Sequence, residues 1–185
     1  MKTLEFKQAF HYPFNRAKGL LNGLWILLPI IGWFALIGYG VRIVNEFIAG
    51  KYKQLPEMKF VSDLKLGFIM FIKMIPGLIV ITVISQFLSD ISAAGAIASV
   101  GLAILVYPVL IINFIKKQDW KAMFELEKTK YVFNNMEEYL VAFLKDVVLQ
   151  IIFLIMIIVL VGIPCSLFTK NIFLANFYGK YVKEK

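Results

Sequence analysis

Four stretches of the chain are almost uninterruptedly apolar and nearly free of charge: residues 19–44, 66–88, 91–115 and 139–168. Each exceeds the roughly 18 residues that a helix needs to approach the thickness of a bilayer's hydrocarbon core. None alternates apolar and polar positions with a period of two, which a membrane barrel would require, and an open sheet cannot leave its edges unpaired in lipid. The pattern therefore predicts an all-α, polytopic helical membrane protein. The first apolar run begins at residue 19 and is too long for a signal-peptide core, so a cleavable leader is not expected.

The first and last runs carry interruptions. Pro29-Ile30-Ile31-Gly32 sits inside the first. Gly162-Ile163-Pro164, then Lys170 and Asn171, break the last ahead of a further apolar stretch at 172–181. Proline removes a backbone donor and crowds the preceding turn, so each site can be a kink within one helix or a connection between two. Charge distinguishes the two threadings, because Lys and Arg gather on the cytoplasmic side of short flanks. Four straight but kinked crossings divide the 20 basic residues eight against twelve. Six segments, with both end runs folded back, divide them nineteen against one, leaving Lys170 alone outside.

The expectation is thus about six helical segments in three hairpins, 16–49, 64–115 and 139–182, within a single integral domain spanning 1–185, with both termini cytoplasmic; four kinked transmembrane helices are the alternative. The end segments would be short, about 16 to 20 Å of helix rise. The middle hairpin turns at Ser89, Asp90 and Ser92. The connection at 116–138 mixes Trp120, Met123, Phe124 and Tyr131 with lysines, reading as an amphipathic cytoplasmic segment at the headgroup level.

Composition agrees: 60% of residues are hydrophobic and only 17% charged, where water-soluble domains carry about a quarter charged. The +8 net charge is accounted for by orientation and by anionic lipid headgroups at the basic cytoplasmic face, so nucleic acid is not an expected partner. The lone Cys165 allows no internal disulfide. His11 is the only histidine, and the four aspartates, Asp63, Asp90, Asp119 and Asp146, form no evident dyad. No catalytic residue, metal site or cofactor is expected, and the protein is read as a non-enzyme.

Ionisable residues within membrane helices are functional candidates by default. Lys73, Lys145 and Lys116 fall near helix ends, where they can snorkel. Arg42 lies only thirteen residues beyond Pro29 and is the deepest strong charge of the six-segment reading. Glu46 stands four residues on along the same helix face, beside Asn45. Asn113, Asp146 and Gln150 can reach the same level from other helices. The candidate polar cluster is Arg42, Asn45, Glu46, Asn113 and Asp146, with Arg42 paired to Asp146 or Glu46. Small residues recur at four-residue spacing through Ala94 and Ala98, and through Gly95 and Ser99, with Gly101 beyond. Such a face permits close helix approach and predicts either a central helix or contact with a second copy.

Several short motifs resemble those of a known family. They are Ala9-Phe10-His11-Tyr12-Pro13-Phe14, Leu28-Pro29-Ile30-Ile31-Gly32, and Gly38-Tyr39-Gly40-Val41-Arg42 running into Ile48-Ala49-Gly50-Lys51 and Leu55-Pro56-Glu57. In the second half, Asn135, Gly162-Ile163 and Leu174-Ala175-Asn176-Phe177-Tyr178-Gly179 follow in order. The chain resembles the prokaryotic multi-pass membrane proteins of the domain of unknown function 4013 family over nearly its whole length. Asn176 stands where that family often carries histidine, so no role for that histidine is carried over. The resemblance implies a membrane fold and no particular activity. Two functional classes follow from the residues: a non-catalytic scaffold or partner of another membrane protein, or a small oligomeric transporter or channel with a cytoplasm-facing polar vestibule around Arg42.

Overall fold

The computed structural model describes residues 2–182; Met1 and residues 183–185, which include two lysines of the tail charge count, lie outside the described residues. Every regular element among the described residues is helical. In chain order they are α1 (Phe6–His11), α2 (Ala17–Leu20), α3 (Ile31–Ile48), α4 (Phe60–Ile91), α5 (Ala93–Leu105), α6 (Tyr107–Lys117), α7 (Lys130–Asn134), α8 (Met136–Ile155), α9 (Gly162–Thr169) and α10 (Ile172–Tyr181). Short 3-10 segments lie at Tyr12–Arg16, Leu21–Leu27, Trp120–Phe124, Leu126–Thr129 and Met156–Val159.

Among the described residues four helices are long and apolar enough to cross a membrane: Ile31–Ile48, Phe60–Ile91, Ala93–Lys117 and Met136–Ile158. That number fits the four-helix alternative. Both end runs nevertheless break near the expected places, and the pieces they shed are shorter than crossings. Residues 17–27 form one α turn followed by 3-10 helix rather than a full α-helical arm. At the break, the Ile31 N–H donates to the Pro29 carbonyl across Ile30, whose φ of 65° and ψ of −68° make a γ-turn of the rare positive-φ kind. Gly32 completes the fold-back, since a Cβ there would overlap the Trp25 carbonyl. The last run turns at Leu160, φ 60°, and again at Asn171, φ 63°. Pro164 therefore sits inside α9 rather than at the turn.

Helix contacts follow from small residues and from proline. Gly38 of α3 lies directly on the first turns of α4: a Cβ at Gly38 would overlap the Asp63 carbonyl, and one at Gly67 the Phe34 carbonyl. Backbone contact this close is how helices gain packing energy where lipid is as apolar as a leucine side chain. Pro108 has no N–H to offer the Ile104 carbonyl one turn earlier, and the chain is locally irregular at Val106, between α5 and α6. The buried Tyr139 hydroxyl of α8 donates to that carbonyl instead. The broken crossing is thereby stitched to its neighbour.

The core gathers α3, α6, α8, α9 and α10 around Tyr39, Phe47, Ile112, Tyr139, Phe153 and Phe177. The N-terminal stretch is docked in this core. Leu4 and Tyr12 are buried, Phe6 stacks on Phe173 and Phe10 on Phe153. The 116–138 connection divides: Met123 is buried against Gly77 of α4, while Trp120 and Phe124 face outward.

Candidate functional site

Arg42 projects from the middle of α3 toward the start of α4. Its Nη1 donates to both Asp63 carboxylate oxygens, at 2.8 and 2.9 Å, and its Nη2 to the Glu57 carbonyl at 2.7 Å. Asp63 is fully buried, 0% exposed, whereas the Arg42 side chain keeps 26% of its surface. The same carboxylate accepts the Lys59 backbone N–H at the N-cap of α4, at 2.8 Å. A carboxylate in the first helical turn also meets the positive end of the helix dipole. The Gly38–Gly67 approach brings the two helices close enough for this fork. The expected pairing of Arg42 with Asp146 or Glu46 is corrected accordingly. Asp63 begins the next helix, and local spacing along α3 gives no sign of it.

The remaining members of the expected cluster occupy other places. Asn45 donates to the Val41 carbonyl on its own helix and to the Ile115 carbonyl at the end of α6. The Glu46 carboxylate has no hydrogen-bond partner among the described residues and lines an open polar cavity of about 700 Å³ with Arg16, Lys51, Lys53 and Glu57. Arg16 is itself paired with Glu57. Asn113 is buried, donates to the Ala122 carbonyl at 2.8 Å and to Glu125, and accepts the Tyr178 hydroxyl. Lys117 bridges to Glu125 at 2.7 Å. That bond, more than any other contact, holds the Glu125 carboxyl below its ordinary value. This second network ties α6, the 3-10 turns and α10 together.

Asp146 has a third role. Its two oxygens accept the Phe173 and Leu174 N–H groups, at 3.4 and 3.1 Å. The residue preceding α10, Asn171, supplies no side-chain cap, so a carboxylate from α8 satisfies the donors that a helix start leaves open. Two further polar links went unforeseen. Gln150 joins Ser166 and Thr169 of α9, and Asn176 accepts the Leu4 N–H while donating to the Lys2 carbonyl.

The small-residue face also differs from expectation. No residue of α5 is buried, Ala94 and Ala98 face outward, and a Cβ at Gly101 would meet nothing within 4 Å. Gly95 packs only on the Leu88 carbonyl across the α4–α5 turn, and Ser99 is partly covered. Within one chain, α5 is therefore peripheral rather than central, and the close crossing is made by Gly38 and Gly67. Among the described residues no three His, Cys, Asp or Glu side chains converge as a metal site would need. His11 bonds only its own helix, at the Lys7 carbonyl. A second cavity, about 560 Å³ and mainly apolar, opens between α3, α4, α6 and α9.

Four apolar helices of crossing length, held by buried polar links, define a polytopic helical membrane protein. The family model described as protein of unknown function (DUF4013) matches residues 21–165, and the chain belongs to that family. No curated protein and no solved structure matches it.

Proposed function

We propose that this membrane protein is a non-catalytic scaffold or partner of another membrane protein. The observation that carries this reading is the engagement of Arg42 by Asp63 and the Glu57 carbonyl. Asp146 is likewise occupied by the start of α10. A side chain that already closes a structural bond has little left to offer a passing ion or a reacting group. The outward small-residue face of α5 supports the same reading, because it is where another transmembrane helix can approach closely.

Site-specific photocrosslinking from Ala98 in native membranes tests the proposal. A discrete adduct, either to a second copy or to another membrane protein, is expected. Lipid-only adducts from Ala98 would remove the support that α5 provides. The transporter reading draws on the open polar cavity beside Glu46, Lys51 and Lys53. Ion flux through liposomes containing folded protein, abolished by Glu46→Gln, would favour it over the scaffold.

With both end runs folded back, the nineteen-against-one division of basic residues supports cytoplasmic termini and a cytoplasmic membrane location. C-terminal fusions read the orientation: alkaline phosphatase inactive and green fluorescent protein bright is the expected outcome, and the reverse pattern rejects it.

A further inference from the structure

Gly40 poses a problem that Gly38 does not. Both stand in α3, where glycine costs about 0.5–1 kcal/mol relative to alanine. Gly38 is required by the backbone of α4, but a Cβ on Gly40 would meet nothing within 4 Å. No protein contact demands the missing side chain, and the space it leaves belongs to the apolar cleft between α3, α4, α6 and α9.

That cleft has a definite shape and chemistry. Its volume, about 560 Å³, lies within the roughly 300–1,000 Å³ typical of small-molecule sites. Along α3 its wall runs from Trp33 through Ile37 to Val44, about 16 Å by helix rise. Half of a bilayer's hydrocarbon core is about 15 Å, the reach of one acyl chain. Met74, Ile111 and Leu167 close the other sides. Trp33, Ile37 and Leu167 are outward-facing, so the cleft opens on the surface that the apolar helices turn toward lipid.

Lys170 is the cleft's only charged liner among the described residues. It is exposed, directly follows α9, and makes no hydrogen bond or ion pair with the described residues. It also borders the smaller cavity beside Asp146, but that carboxylate is already taken by the Phe173 and Leu174 N–H groups. Asn171, next to it, is a second polar group at the same place. An apolar trough as long as an acyl chain, with one uncompensated cation in its lining, matches an amphiphile with a single anionic head.

We propose that this cleft is a lipid site, holding one acyl chain of an anionic membrane phospholipid with the phosphate at Lys170. The inference stands apart from the scaffold reading, and neither depends on the other.

Native mass spectrometry of the detergent-purified chain, after equilibration with equal phosphatidylglycerol and phosphatidylcholine, tests it. The wild type is expected to retain one phosphatidylglycerol per chain with about tenfold preference, the scale of one charge-assisted contact. Gly40→Leu fills the trough and is expected to lower retention at least roughly tenfold, whereas Gly40→Ala retains lipid; Lys170→Gln is expected to keep a lipid but lose the headgroup preference. Equal retention by Gly40→Leu, or equal amounts of the two lipids on the wild type, overturns the assignment. A second measurement does not depend on Gly40→Leu folding. In a Trp25→Phe/Trp120→Phe background Trp33 is the sole tryptophan. One equivalent of phosphatidylglycerol brominated on its acyl chain, added in detergent, is expected to quench it, and an unchanged emission rejects the site.

Discussion

Breaking the Arg42–Asp63 pair from either side should have unequal consequences, and the asymmetry follows from burial. Asp63 is 0% exposed and Arg42 26%. Arg42→Met leaves a fully buried carboxylate with only the Lys59 N–H at 2.8 Å, a cost of about 3–5 kcal/mol for an uncompensated buried charge. Asp63→Asn leaves a partly exposed guanidinium that keeps the Glu57 carbonyl, and an amide that can still accept from Lys59 or Arg42. Its cost should be about 1–3 kcal/mol, the scale of one weakened buried hydrogen bond. The double variant Arg42→Met/Asp63→Leu removes both charges, and buried pairs replaced by apolar residues are often neutral or more stable. It should therefore recover most of what Arg42→Met loses, giving a coupling energy well above the roughly 0.5 kcal/mol within which independent sites add. Reversible unfolding in mixed detergent, with all variants inserted and monodisperse, measures the cycle. Glu46→Gln is the control, since Glu46 is the i+4 neighbour that sequence spacing proposes as the partner. Equal losses in Arg42→Met and Glu46→Gln, or additive behaviour of Arg42→Met and Asp63→Leu, would refute the reasoning.

Further outcomes are expected from other contacts. Tyr139→Phe keeps the buried ring but leaves the Ile104 carbonyl, already abandoned by Pro108, without its donor; a loss of about 1–3 kcal/mol is expected in the same unfolding assay. Pro108→Ala should reduce that loss, because alanine restores the helical N–H donor at that position. Gly38→Ala places a methyl against the Asp63 backbone and should cost about 1–3 kcal/mol despite alanine's better helix propensity, whereas Gly40→Ala, facing open space, should gain up to about 1 kcal/mol. Glu125 predicts a pH dependence. Its carboxyl is held below the ordinary value of 4.5, chiefly by the Lys117 hydrogen bond, so its stabilisation is complete above that value and is lost as pH falls through the lower folded value. Glu125→Gln should flatten the acid limb of the thermal-stability profile, and an unchanged limb would show that the pair contributes nothing.

Much of the fold is legible because bilayer physics is written in composition. Long uncharged runs must be helical wherever no water can satisfy the backbone, so the helical class and the four apolar runs need no tertiary information, while the choice of four crossing-length helices over six segments does. The breaks at Pro29 and Asn171 are also readable, since proline, glycine and asparagine mark them locally. The end segments are expected to be short and are short, but their form is not legible: residues 17–27 are mostly 3-10 helix, and 162–181 fold as two helices whose turns are set by contacts with α3 and α8. The polar cluster shows the limit most clearly. Arg42 stands out in the sequence because it is the one charged residue in the first apolar run. Its partner Asp63 does not, because an acid in a polar loop is unremarked until the Gly38–Gly67 crossing brings it to the guanidinium.

Sequence by itself determines that this is a helical membrane protein with an arginine inside its first apolar run, because hydropathy and charge are one-dimensional quantities summed along the chain. Which acid neutralises that arginine, that Asp146 serves the start of α10, and that α5 lies outside the core are decided by helix approach. In an apolar solvent the approach of two helices rests on where side chains are absent. Gly38 and Gly40 are indistinguishable as letters two positions apart: the tertiary structure closes a helix over one and leaves the other facing an apolar cleft.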